Sequence, residues 1–276
     1  MEDTEQLAIV PLDASDAAGG LNLSTEAHWD QNEADWRFFL TKGSVFGTRD
    51  REGNLVATAA LLPYAERDAW ISMVLVTETF RRLGLATRLV DTCLDAATKC
   101  GLNTWLDATP AGATVYGPLG FTPTIQLRRL RLANAPVSGT AVSPPVGKLD
   151  AFITCDIGAM GFDRRELLGE LAGRATSRLL STGDTSALVR DGRTARHIGP
   201  LFADSPAHAL AMVRDIAASS ERGPFLIDAI ATQTAFLDGL TADGWTVERA
   251  FQRMRFGRAN TKAGEPPFAA AGPEFG

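Results

Sequence analysis

The feature that most restricts the fold is a junction. An apolar run, Ile71-Ser72-Met73-Val74-Leu75-Val76, gives way to a short polar turn and then to a long periodic segment. The first part reads as a buried strand. In the second, Leu85, Ala86, Leu89, Val90, Cys93, Leu94 and Ala97 fall at the i, i+3, i+4, i+7 spacing of one buried helix face. The helix is expected to stop at Lys99-Cys100-Gly101, a basic last turn followed by glycine. Strand and helix are joined by Arg81-x-x-Gly84-x-Ala86, where bulky side chains yield to small ones. A helix start presents unpaired N–H groups and a partial positive charge, which suits a pyrophosphate. Small residues at Gly84 and Ala86 leave those N–H groups reachable. An ordinary tight turn would also accept a glycine here, so the junction needs support from its surroundings.

That support comes downstream. Val115-Tyr116-Gly117-Pro118-Leu119-Gly120-Phe121 follows the junction after one helix and one strand. The pair of motifs, in this order, resembles the coenzyme A signature and the "Leu-Tyr-x-x-x-Gly-Phe" element of the GNAT superfamily of N-acetyltransferases. The resemblance is strong over residues 7 to 132. It implies a mixed α/β (α+β) fold, a mostly antiparallel twisted sheet flanked by helices, with acetyl-CoA as co-substrate. Carried over position by position, it marks Val74, Leu75, Val76, Arg81, Arg82, Leu83, Gly84, Leu85, Ala86 and Thr87 as coenzyme-binding.

The order of elements follows from pattern and punctuation. Leu7 to Pro11 reads as a first strand, followed by a polar, glycine-containing loop. A helix over Glu33 to Lys42 is closed by Gly43. Ser44 to Arg49 and Leu55 to Tyr64 form a hairpin, Asp68 to Val76 the next strand, Asn103 to Ala108 the fifth, and Phe121 to Leu132 a closing strand. Arg128, Arg129 and Arg131 on that strand read as edge charges. The Pro-rich, aperiodic stretch after it predicts domains at 1–133 and 148–276 with a linker at 134–147.

The second half repeats the element order of the first more than its letters. A helix near Arg164 to Gly173 and strands at Thr176 to Ser181, Ser186 to Arg190 and Thr194 to Phe202 precede a helix opened by Ser205-Pro206. Phe225 to Ala229 mirrors Trp105 to Ala108, and Gly244-Trp245-Thr246 parallels Gly120-Phe121-Thr122. Ala203-Asp204-Ser205-Pro206 stands where the first half has its glycine turn, and Leu240 stands in the place of Tyr116. An aspartate there repels a pyrophosphate and a proline removes an N–H. The second half is therefore expected to be a degenerate GNAT-like domain that binds no coenzyme and shapes or covers the acceptor site. The end, from Gly264, reads as a tail, with Phe268 to Phe275 able to dock as a last strand and to carry Glu274 toward a pocket.

Bulk properties exclude other classes. A net charge of −6 argues against a protein that holds nucleic acid by neutralising phosphates. No apolar run is long enough to span a membrane. His28, His197 and His208 lack metal-ligand spacing, so no metal is expected. Cys93, Cys100 and Cys155 read as buried thiols of a cytoplasmic protein. Residues 1 to 36 contain nine acids and no Lys or Arg. They read as a solvated acidic face or, alternatively, as an attractor for a cationic amine.

The resemblance implies direct acetyl transfer to an amine, with backbone N–H groups around Leu75 and Val76 polarising the acetyl carbonyl. Tyr116, a phenol protonated at neutral pH, suits the role of acid toward the departing thiolate. The family's usual glutamate on the fourth strand is missing from Trp70-Ile71-Ser72-Met73-Val74. Asp107 is the nearest carboxylate for a base, with Ser72 or an ordered water equally open. The expected acceptor is a small amine or amino-acid-like molecule, and the expected assembly a monomer or homodimer. The other reading is a catalytically silent acetyl-CoA-binding sensor.

Overall fold

The computed structural model describes residues 7–65, 67–134, 145–219, 223–258 and 263–276. By their contacts these residues fall into two compact units. The first holds residues up to Leu106, Ala111–Thr122 and Met254–Arg258; the second holds Asp107–Pro110, Pro123–Arg253 and the residues from 259 onward. Of the expected 134–147 linker, residues 135–144 lie outside the described set. Its far end is not free: Val146 bridges Leu180, and the Gly147 N–H donates to the Leu179 carbonyl at 2.8 Å.

The first unit begins with β1 (Ile9–Leu12), α1 (Ala17–Glu26) and α2 (Glu33–Lys42). The segment expected as a loop thus contains a helix. Its two adjacent glycines and its polar residues hide the helical pattern, and packing explains why it forms nonetheless. A Cβ at Gly20 would lie 2.4 Å from the Trp36 ring, and the Trp36 indole N–H donates to Ser24 Oγ at 2.9 Å. Gly20 is flat so that the fully buried Trp36 can lie on it. Gly20→Val should therefore lower stability by about 1–3 kcal/mol through overpacking, read as a lower urea midpoint. α2 starts with a reciprocal capping box between Asn32 and Asp35.

Strands β2 (Ser44–Arg49), β3 (Leu55–Tyr64) and β4 (Asp68–Val76) follow as an antiparallel meander. Then come α3 (Leu85–Lys99), β5 (Asn103–Ala108) and α4 (Pro110–Tyr116). The strands run β1-β2-β3-β4-β5 across the sheet, with β5 parallel to β4. α3 buries Leu85, Leu89, Val90, Cys93, Leu94 and Ala97, the face its spacing predicts.

The second unit contains β6 (Thr122–Leu132), α5 (Leu149–Met160), α6 (Arg165–Gly173), β7 (Arg178–Thr182), β8 (Thr185–Asp191), β9 (Arg196–Phe202), α7 (Pro206–Ser219), β10 (Phe225–Ile230), α8 (Thr234–Ala242) and β11 (Thr246–Phe256). Its strand order is β11-β6-β10-β9-β8-β7. The strand expected to close the first sheet, β6, instead pairs antiparallel with β10 from Leu132↔Phe225 to Leu127↔Ile230. The last residues of β11 take the corresponding place in the first unit, where Phe256 packs on Phe121 with ring centroids 5.6 Å apart.

This arrangement overturns the reading of the β6 arginines as edge charges. Arg129 is buried and grips both oxygens of Asp228 at 2.8 Å. His197 Nε2 lies 2.8 Å from the same carboxylate. Burial alone would raise the Asp228 carboxyl, but Arg129 and His197 outweigh it and hold the group below the usual carboxylate range.

Candidate active site

The candidate site lies where β4 keeps β3 but parts from β5. Ala60 faces Ser72 and Thr58 faces Leu75, so β4 spends one more residue than β3 between these pairs. The extra residue is a bulge: Met73 has φ +52°, and Thr58 Oγ1 donates to its carbonyl at 2.8 Å. On the other edge, β4 and β5 pair only from Asp68↔Asn103 to Trp70↔Trp105. The Trp105 indole N–H clamps the closed end by donating to Asp68 Oδ1 at 2.9 Å. Beyond Trp70 the strands part, which leaves the Ile71–Val76 edge of β4 outside the pairing with β5. The fourth strand is thus bulged on one edge and splayed on the other, and no letter of the sequence announces the bulge.

The turn after β4 is pinned from a distance. Glu26, at the end of α1, accepts from the Thr77 hydroxyl at 2.6 Å and the Glu78 N–H at 2.7 Å. The Thr77 hydroxyl is the main cause of a lowered Glu26 carboxyl, which burial opposes and the Glu78 N–H supports. Arg81 and Arg82 are exposed, and Arg81 Nε donates back to the Val76 carbonyl at 3.1 Å. Arg82 and Gly84 both have positive φ, +64° and +78°. Gly84 is the N-cap of α3; among the described residues no side chain caps that helix, and nothing lies within 4 Å of where a Gly84 Cβ would be. The first backbone bond of α3 runs from the Arg88 N–H to the Gly84 carbonyl. The amides of Leu85, Ala86 and Thr87 therefore precede the intrahelical ladder. Leu83 is exposed, Leu85 is buried, and Ala86 and Thr87 are half-buried. The contrast with the fully boxed start of α2 is chemical: one helix start is satisfied by its own side chains, and this one has no side-chain cap among the described residues.

Tyr116 ends α4 and is buried, its ring 6.1 Å from that of Phe121. Burial, and secondarily the nearby Cys93 thiol, push its phenol up to about 12. Asp107 falls in the second unit, where both its oxygens accept from Arg253, at 2.9 and 2.8 Å. Burial raises its carboxyl and Arg253 offsets part of that. Service as a base would require this bidentate pair to open. Ser72 Oγ is buried and has no hydrogen-bond partner among the described residues.

Four of the six described acids in residues 7–36 are engaged in caps or ion pairs, which favours a solvated acidic face over an attractor for a cationic amine. Asp13 caps a helical turn, Asp16 pairs with Arg49, Glu33 with Arg37, and Asp35 completes the α2 box. Glu2, Asp3 and Glu5 lie outside the described residues. The cysteines depart from expectation: Cys93 is buried, whereas Cys100 and Cys155 are exposed. Among the described residues no cluster of His, Cys, Asp and Glu has the makings of a metal site, and no helix is long and apolar enough to cross a membrane.

In the second unit the equivalent helix start is filled. Ser205 Oγ accepts from the His208 N–H at 3.3 Å, and Asp204 lies 2.6 Å from His208 Nδ1. That hydrogen bond is the main cause of a lowered Asp204 carboxyl, so a negative charge sits where the first unit presents bare amides. Leu240 on α8 is fully buried.

A bulged and splayed fourth strand feeding an uncapped helix, in a chain whose second half repeats the layout, defines a tandem acyltransferase fold. Comparison with known proteins agrees. The model of the "Acetyltransferase (GNAT) family" matches residues 15–121, and that of an "Acetyltransferase (GNAT) domain" matches residues 152–266. The chain belongs to the GNAT acetyltransferase family, with two such domains in tandem, and is an acyltransferase. It is similar to the uncharacterized N-acetyltransferase YitH of Bacillus subtilis (strain 168), 26% identical over 257 residues, covering 86% of this chain and 87% of that one. In fold it is similar to a putative acetyltransferase from Pyrococcus horikoshii (TM-score 0.81, 19% identity, 98% of this chain and 96% of that one). It is also similar to a tandem GNAT protein from the clavulanic acid biosynthesis pathway (TM-score 0.68, 14% identity, 92% and 100%).

Proposed function

We propose that this chain is an acetyl-CoA-dependent N-acetyltransferase acting on a small amine or amino-acid-like acceptor, and that its first unit carries the chemistry. The observation that supports this most directly is the start of α3, uncapped, opened by a left-handed Gly84 with free space before it. Acetyl-CoA supplies the acetyl group as a thioester. The amides of Leu85, Ala86 and Thr87, with the helix dipole, would hold its pyrophosphate, and exposed Arg81 and Arg82 would add charge. The unpaired edge of β4 at Val74, Leu75 and Val76 would hold the pantetheine arm as a strand partner and present N–H groups to the thioester carbonyl. Tyr116 would donate a hydrogen bond to the sulfur. An amine acceptor is in keeping with the similar Bacillus protein, which is called an N-acetyltransferase. Its ammonium, with a pKa of about 10.4 for a lysine-like group, must lose a proton before attack. The buried Ser72 hydroxyl, with an ordered water, would lie along that route, and Asp107 would serve by fixing Arg253.

Ala86→Asp tests the reading. An acid in the first helical turn favours the helix itself, so folding should be unharmed. Acetyl-CoA binding measured calorimetrically should nevertheless weaken at least about tenfold, the equivalent of about 1.4 kcal/mol. Undiminished affinity would place the coenzyme elsewhere. Thiol release from acetyl-CoA across a panel of amines then separates an enzyme from a sensor that binds without turnover.

A further inference from the structure

The second unit keeps the cleft geometry of the first. Ala187 faces Leu201 and Val189 faces Ile198, so β9 spends one extra residue against β8, as β4 does against β3. β9 and β10 pair in parallel only from Arg196↔Phe225 to Ile198↔Ile227 and then separate. This gap is filled. Phe268 N–H donates to the Leu201 carbonyl at 2.9 Å, and Leu201 N–H to the Ala269 carbonyl at 3.0 Å. On the other side, Ile230 N–H donates to the Phe268 carbonyl at 3.1 Å and Ala270 N–H to the Asp228 carbonyl at 2.9 Å. Ala269 bridges both strands in antiparallel sense.

We propose that the cleft of the second unit is a peptide-backbone site whose occupant is the chain's own segment Phe268–Ala271. That segment stands where the first unit leaves room for a pantetheine arm. The comparison with pantetheine rests on the function proposed above; the plug itself does not. The site is built for this occupant. A Cβ at Gly199 would lie 2.0 Å from the Ala270 carbonyl oxygen, so only glycine allows the segment to approach. Arg190 Nη2 donates to the Ala271 carbonyl and to Glu274 Oε1, both at 2.7 Å, and its guanidinium lies 5.4 Å from the Phe275 ring centroid. Arg164, held by Asp156 through two bonds of 2.7 Å, donates to the carbonyls of Phe275 at 2.9 Å and Gly276 at 2.5 Å. Ala269, Ala271 and Phe275 are completely buried. Main-chain bonds on both sides and two arginine clips outside are the recognition mode of strand addition. The ligand class is thus an extended peptide with small side chains after a leading phenylalanine, whose ring packs 5.3 Å from that of Phe236, and a coenzyme is shut out.

Amide hydrogen exchange on the intact chain gives the first test. Leu201, Ile230 and Ala270 should be protected together, and free exchange at Ile230 and Ala270 overturns the plug. A second test replaces residues 259–262 of the full chain by a protease recognition sequence and cleaves the folded protein. Residues 263–276 should stay bound through gel filtration and exchange with excess labelled synthetic peptide of the same sequence. A peptide carrying Ala270→Pro, which cannot donate to Asp228, should fail to exchange. Departure of the fragment with unchanged protection of Leu201 and Ile230 overturns the proposal, as does a second acetyl-CoA bound per intact chain. Binding of no acetyl-CoA at all would instead sink the function proposed for the first unit and leave the exchange results to decide the plug.

Discussion

Tyr116→Phe should lower turnover about 100-fold while leaving acetyl-CoA affinity unchanged, the size of effect seen when one donor to a developing negative charge is removed. The substitution keeps the ring that packs at 6.1 Å on Phe121, so stability should hold. Burial pushes the phenol up to about 12, well above a thiol near 8.5. Complete proton transfer from so weak an acid to the leaving thiolate is uphill. In the proposed reaction the group would therefore act chiefly as a neutral hydrogen-bond donor to sulfur as charge builds there. The pH dependence follows. The donor stays protonated through about pH 10, the ordinary phenol value, so the rate should rise with pH as the acceptor ammonium ionises, with no descending limb from Tyr116. The Phe variant should show the same profile at a lower level. Full turnover in that variant would remove Tyr116 from the chemistry.

Asp228→Ala should destabilise the second unit by about 3–5 kcal/mol, because it strands the buried Arg129 guanidinium. Asp228→Asn, which retains volume and one acceptor, should cost less, and Arg129→Met combined with Asp228→Leu less than the worse single change. Urea denaturation reads all three. The acid dependence has a definite sign. The folded carboxyl titrates below its ordinary value, so its contribution is complete above the unfolded aspartate pKa of about 3.9 and disappears as pH falls through the lower folded value. The gap between wild type and Asp228→Asn should be constant near neutrality and close only below about pH 4. A gap that narrows between pH 5 and 7 would point to His197 instead.

Local pattern was readable where one face of an element is buried. The stripe of α3, the stop at Gly101 and the α2 boundaries are in the letters. α1 was not, since Gly19 and Gly20 speak against a helix until Trp36 is known to rest on one of them. α5 was not, because Leu149–Met160 has apolar residues on several sides and no single stripe. The strand-to-helix turn with its left-handed Gly84 was legible through its small residues, but the bulge at Met73 was not, as a left-handed methionine leaves no compositional mark. Partners far along the chain were invisible in principle. Nothing near Arg129 names Asp228, 99 positions on, and nothing near Asp107 names Arg253, 146 positions on. Asp107 was singled out as a carboxylate; its ion pair could not be.

The first unit draws Met254–Arg258 from the far end of the polypeptide: Phe256 sits on Phe121, and the Arg258 N–H donates to Asn103 Oδ1 at 3.0 Å. During synthesis, then, the segment bearing the β4–α3 turn leaves the ribosome long before its last β neighbour exists. For that interval its β5 flank is an open template, the kind of edge on which nascent chains aggregate. Catalytic competence in such a protein is a property of the finished chain, and a premature stop anywhere before Arg258 should yield a client for chaperones rather than a smaller enzyme.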